Sequence, residues 1–135
     1  MRHTVFKILF VLLLPLTSPG LAADQSWLMS IPYAVSAEHI YKVVIESIDG
    51  KTTDNAVRYP LSAGEHSITV SLKLDVEWSP DLVETPGQKR HKQLLVSADA
   101  GKTYQIAARV DIDAAAESQL DDSYWEPLVY RIQNN

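Results

Sequence analysis

Residues 66–78 read HSITVSLKLDVEW, and the alternation within them decides the fold. Ile68, Val70, Leu72, Leu74, Val76 and Trp78 take the even positions, while Ser67, Thr69, Ser71, Lys73, Asp75 and Glu77 take the odd ones. Neighbouring side chains on a β-strand point to opposite faces, so a period of two over this length predicts a strand with one dry and one wet face. At about 3.3 Å per residue it would reach roughly 40 Å, longer than a strand normally runs, and so must bend, bulge or project beyond its neighbours.

The same period returns on either side. Residues 103–112 set Tyr104, Ile106, Ala108, Val110 and Ile112 against Thr103, Gln105, Ala107, Arg109 and Asp111. Residues 92–98 predict a shorter strand with Leu94 and Val96 inward, and residues 40–48 one with Tyr41, Val43 and Ile45 on a common face. Residues 57–61 and 124–132 complete the set, and residues 27–31 add a short edge strand before Pro32. Asp49-Gly50 is a tight-turn dipeptide, residues 62–65 place Gly64 where a turn needs positive φ, and residues 99–102 suit a short hairpin through Gly101. Only residues 113–119 have the composition for a turn or two of helix. About seven short strands joined in this way predict an all-β fold, a single small antiparallel β-sandwich of immunoglobulin-like or related type, with a small barrel as the alternative.

Residues 1–22 stand apart from this pattern. Arg2, His3 and Lys7 form a basic head, residues 8–16 are apolar apart from Pro15, and a small-residue tail ends in Ala22 and Ala23. That order predicts a secretory signal peptide cut near Ala22 or Ala23, leaving residues 23–135 as one domain. The apolar run, about nine residues, falls short of the roughly 20 that a spanning helix requires, so no membrane anchor is expected after cleavage. The chain has no cysteine, which excludes a lipid-modified terminus, a disulfide framework, thiolate metal sites and c-type haem attachment. Cleavage removes two of the 12 Lys+Arg and none of the 17 Asp+Glu, moving the net charge from −5 to −7. The acidic balance favours solubility and argues against nucleic acid or anionic lipid as a partner, and an exported chain of this size without cysteine points to a periplasmic or secreted protein of bacterial type.

Residues 59–74 (YPLSAGEHSITVSLKL), preceded by residues 46–51 (ESIDGK) and followed by residues 94–110 (LLVSADAGKTYQIAARV), resemble the strand and turn order of PEGA-type modules. A similar order occurs in the curli synthesis inhibitor family. The resemblance implies a β-sandwich, a location outside the cytoplasm and no enzymatic activity; it carries over no functional residue. Residues 79–92 are longer than the compact PEGA pattern accommodates.

No catalytic motif is present. The pairs Glu38-His39 and Glu65-His66, together with His91, lack metal-ligand spacing, and adjacent strand residues face opposite ways. No serine sits in a nucleophile-elbow motif, and Asp111, Asp113, Asp121 and Asp122 read as solvated loop. Neither a cofactor nor a metal is expected. Two surfaces are candidates for a partner. Lys89, Arg90, His91 and Lys92 form a basic cluster on an acidic chain. Tyr124 and Trp125, beside Pro127 and Tyr130, offer an aromatic group that would either fill the core or stack on a sugar. The expected function is a non-enzymatic periplasmic protein that binds another envelope component, by strand addition at a sheet edge or through the basic loop. The alternative is a carbohydrate- or peptidoglycan-binding module.

Overall fold

A computed structural model describes residues 25–73, 91–111, 113 and 122–135. The expected signal peptide lies outside the described residues, as do Leu74, Val76 and Trp78 at the end of the long alternating run. The strands are β1 (Ser26–Ser30), β2 (Ile40–Tyr41), β3 (Val43–Ile48), β4 (Lys51–Thr52), β5 (Tyr59–Leu61), β6 (Gly64–Leu72), β7 (His91–Ala98), β8 (Lys102–Val110) and β9 (Trp125–Asn134). A single 3-10 turn, Ser36–Glu38, precedes β2.

These strands form two sheets packed as a small β-sandwich. One has the order β4-β3-β6-β7, antiparallel throughout. The other is organised around β8, which pairs with β9 from Lys102 to Val110. A strand has two edges, so β1 and β2 share the other one: β1 runs beside Thr103 to Ile106, and β2 beside Ala108 and Arg109. β5 closes this sheet beyond β1. The β1–β8 pairing is parallel, against the antiparallel expectation. Tight turns dictate antiparallel pairing only between consecutive strands, whereas the whole second sheet lies between β1 and β8 in sequence.

The alternation read from the sequence determines which side chains meet. Leu28, Leu61, Tyr104, Ile106, Ala108, Val110 and Trp125 from one sheet pack against Val43, Ile45, Ile68, Val70, Leu72 and Val96 from the other. Leu95 points outward, 65% exposed. Two bulges adjust the faces. Glu46 is the extra residue between Ile45 and Ser47, and Tyr130 the extra residue between Val129 and Arg131. The Asp49-Gly50 turn has positive φ at both residues, 51° and 79°, as a two-residue hairpin of the right twist requires. Tyr104 locks the β7–β8 hairpin from inside: its hydroxyl accepts the Asp99 N–H at 2.7 Å. The buried Ser26 hydroxyl donates to the Asp99 carbonyl of the same turn.

The expected wet face of β8 is not wet along its whole length. Ala107 is 0% exposed and lies in a second apolar cluster with Ile31 and Ile40, flanked by Val35, Leu128 and Tyr130. The segment between β1 and β2 folds back over the outside of the sheet and covers this point. Val35 and Ile40 bridge to each other, and Tyr130 donates from its hydroxyl to Glu38 Oε2 at 2.6 Å. Alanine is required because the covering segment sits directly on the strand. Ala107→Leu should therefore destabilise the domain by about 1–3 kcal/mol through overpacking, whereas Gln105→Leu, two residues away on the same face, should change it by no more than about 0.5 kcal/mol. Urea denaturation of the two variants checks the difference.

Candidate functional site

Of the basic cluster, Lys89 and Arg90 lie outside the described residues. His91 opens β7 with its ring partly exposed, 4.0 Å from Glu46 Oε1. Lys92 points the other way. Its Nζ donates to the carbonyls of Asp122 and Trp125, each at 2.5 Å, and stands 4.8 Å from the centre of the Trp125 ring. It ties the start of β9 to the edge of the opposite sheet, so its charge is used internally. Tyr124 and Trp125 are each 2% exposed and belong to the core. As placed, neither ring offers a face to a sugar. The half-buried Trp27 lies on the outside of the β8 sheet with the Arg58 guanidinium stacked 3.9 Å from its ring centre.

The histidines are dispersed. His39 is exposed in a left-handed conformation after the 3-10 turn, and His66 is buried. Among the described residues no three His, Cys, Asp or Glu side chains come together as a metal site would require. Asp111 accepts the Asp113 N–H at 3.1 Å, a local turn contact; Asp121 lies outside the described residues.

Sequence reading missed the partner of His66. The ring joins two turns: Nδ1 donates to Asp49 Oδ2 at 2.6 Å and Nε2 donates to the Ser62 carbonyl at 2.7 Å. Asp49 also accepts the Ser67 N–H at 2.9 Å. Ser62 Oγ lies 3.4 Å from Nε2, so serine, histidine and aspartate are gathered as in a hydrolase. The ring is turned elsewhere: Nε2 faces the Ser62 carbonyl at 2.7 Å, closer than the Ser62 hydroxyl at 3.4 Å, and Nδ1 faces Asp49. The Asp49 carboxylate, then the Ser62 carbonyl, holds the His66 pKa above its ordinary 6.5 against the opposing effect of burial. The same contact, with the Ser67 N–H, holds Asp49 below its ordinary 3.8. His66 is a clasp between the β3–β4 turn and the β5–β6 crossover.

A second feature was also invisible in sequence. β3 pairs with β6 along its length but with β4 only at Ser47 and Ile48. Among the described residues no strand lies against the other edge of residues 43–46. Side chains and a loop satisfy it instead. Ser30 Oγ accepts the Val43 N–H at 3.1 Å, Thr53 Oγ1 donates to the Ile45 carbonyl at 2.5 Å, and the Thr53 N–H donates to the Glu46 carbonyl at 3.0 Å. A groove of about 390 Å³ runs along this stretch, between β1 and the loop of residues 53–57. Tyr59 braces that loop, donating to the Asp54 carbonyl and accepting the Ala56 N–H. Val57, 83% exposed, and Val44, 40% exposed, are apolar surface on its walls, and Tyr33 is exposed just past Pro32. Lys42, Lys73, Glu46 and Asp54 also line it. A cleft of about 500 Å³ on the far side of the loop is lined by Asp49 and His66, which are already committed to each other.

No family model matches the chain, and no curated protein or solved structure matches it either.

Two outcomes follow from the clasp and from Lys92. The raised His66 pKa contributes stability that is complete below about pH 6.5 and is lost as pH rises through the raised value. The lowered Asp49 pKa contributes above about pH 4 and is lost as pH falls through the lowered value. The gap in melting temperature between the native chain and Asp49→Asn should be widest from about pH 4 to about pH 6.5 and close on the alkaline side. A gap that does not vary with pH would show that the charged form is not what stabilises. Lys92→Gln should cost roughly 1–3 kcal/mol in urea denaturation, the value of losing charged hydrogen bonds at a half-buried site.

Proposed function

We propose that the chain is an exported, non-enzymatic periplasmic protein that binds another envelope component by taking up an extended segment along the edge of β3. The single observation behind this reading is the unpaired stretch at residues 43–46, with a groove beside it. An added strand gains affinity from main-chain hydrogen bonds and specificity from alternate side chains. Both elements have a counterpart here. The backbone groups of Val43 and Ile45 are held by Ser30 and Thr53 hydroxyls, caps that a competing strand can displace. Val44 and Val57 give an incoming apolar side chain something to cover. The basic head, apolar run and small-residue tail at residues 1–22 support export, as does the resemblance to PEGA-type modules.

A glycan-binding module is the weaker reading. It requires open aromatic faces, and Tyr124 and Trp125 are in the core while Arg58 lies over Trp27. The commitment of both His66 nitrogens supports the non-enzymatic assignment.

The test is a display library tiling exported proteins as short linear peptides, panned against the chain from Ala23 onward. Bound peptides should slow amide exchange at residues 43–46, and Ala56→Trp, which fills the groove, should weaken binding at least about tenfold. Peptides that bind equally well to Ala56→Trp and leave exchange at residues 43–46 unchanged would reject this edge as the site.

A further inference from the structure

We infer that the segment docking along β3 is an acidic peptide, and that one of its carboxylates sits between Lys42 and Lys73. The inference rests on the strand-addition reading and adds the chemistry of the partner. Lys73 N–H donates to the Lys42 carbonyl at 3.1 Å, one step beyond the last paired residues Val43 and Leu72. The ladder therefore sets the two lysines directly opposite each other. Val43 and Leu72 point into the core, so their neighbours Lys42 and Lys73 turn outward. Side chains so placed have their Cβ atoms roughly 5 Å apart, and like charges in that position repel.

Among the described residues neither lysine has an ion-pair partner. The acid nearest them on β3, Glu46, already has partners. Glu46 accepts the Ser71 hydroxyl at 2.8 Å and stands 4.0 Å from His91, and Asp54 lies past it on the loop. The Glu46 carboxylate lies over Ser71, two residues from Lys73 on the same face of the sheet, and is taken up by Ser71 and His91. The two lysines stand on a chain whose net charge is −5. Two facing cations without an ion-pair partner of their own repel, and a ligand carboxylate relieves that repulsion. A carboxylate has two oxygens and accepts from both ammonium groups at once. Placed there, the acidic residue also fixes which way along the edge the peptide lies.

The probe is a set of three capped heptapeptides alternating Thr and Val, with Glu, Gln or Lys as the first residue. Fluorescence anisotropy at low salt should show the Glu peptide binding at least about fivefold tighter than the Gln peptide and tighter still than the Lys peptide. The preference should vanish in K42Q/K73Q and reverse in K42E/K73E, which then favours the Lys peptide. Lys73 is exposed and Lys42 half-buried, and the reversal is a gain that a damaged fold cannot imitate. Equal binding of all three peptides, still lost in Ala56→Trp, overturns the acidic assignment and leaves strand addition standing. Failure of all three to bind overturns both. Binding to phosphatidylglycerol vesicles through the same lysines, with no preference among the peptides, would make the pair a lipid contact and also overturn the proposal.

Discussion

The sandwich depends on β8 being buried on both faces and paired on both edges. Inward, Tyr104, Ile106, Ala108 and Val110 form the centre of the main core. Outward, Ala107 lies against Ile31 and Ile40. One edge holds β9 and the other holds β1 and β2 in succession. Burying a side chain such as Ile106 is worth about 1.5–3 kcal/mol, and β8 collects burial on both sides. The arrangement also explains why β1 is parallel to β8. The pairing brings the start of the domain to the centre of the sheet, where Leu28 reaches the core and Ser26 meets the β7–β8 turn.

Much of this was legible because period-two patterning has one physical meaning. Each segment read as a strand overlaps a strand, and Ile68, Val70 and Leu72 are buried while Leu95 is not. What failed was the assumption that a polar-looking face is wet. Ala107 occupies an outward position between Gln105 and Arg109, and alanine is compatible with either environment. Its burial depends on the fold of residues 31–40, a contact of long sequence separation that no local pattern records. Trp125 and Tyr124 show the same limit in reverse. An aromatic next to a proline reads equally as platform or plug, and only the packing against Lys92 and the core separates them.

The candidate site was less legible still. The partner of His66 is 17 residues away, in a turn whose Asp-Gly pair already had a sufficient explanation as a hairpin. The aspartate does two jobs: it supplies the turn and it holds the His66 ring. The basic cluster was read as a unit because four consecutive residues are cationic or titratable. Strand geometry divides it, sending His91 outward and Lys92 inward. Lys42 and Lys73 drew no notice, being 31 positions apart, yet the β3–β6 register places them face to face.

The manner in which each edge is protected explains why the β3 edge, short as it is, is the stronger docking candidate. Long exposed edges invite indiscriminate pairing, and proteins blunt them with charge, proline or a covering element. β9 carries Glu126, Pro127 and Arg131 along its length, and Lys92 links its first residues to the edge strand of the other sheet. Those devices are built into the strand and stay when a partner approaches. Residues 43–46 of β3 carry no proline, and their one charge, Glu46, is turned to Ser71 and His91. Their polar groups are held by the hydroxyls of Ser30 and Thr53, which lie on other elements and can return to water at little cost, since a neutral hydrogen bond nets only about 1 kcal/mol. An edge guarded by charge is closed to every strand; an edge guarded by hydroxyls is open to one that brings better hydrogen bonds and the right charge beside Lys42 and Lys73.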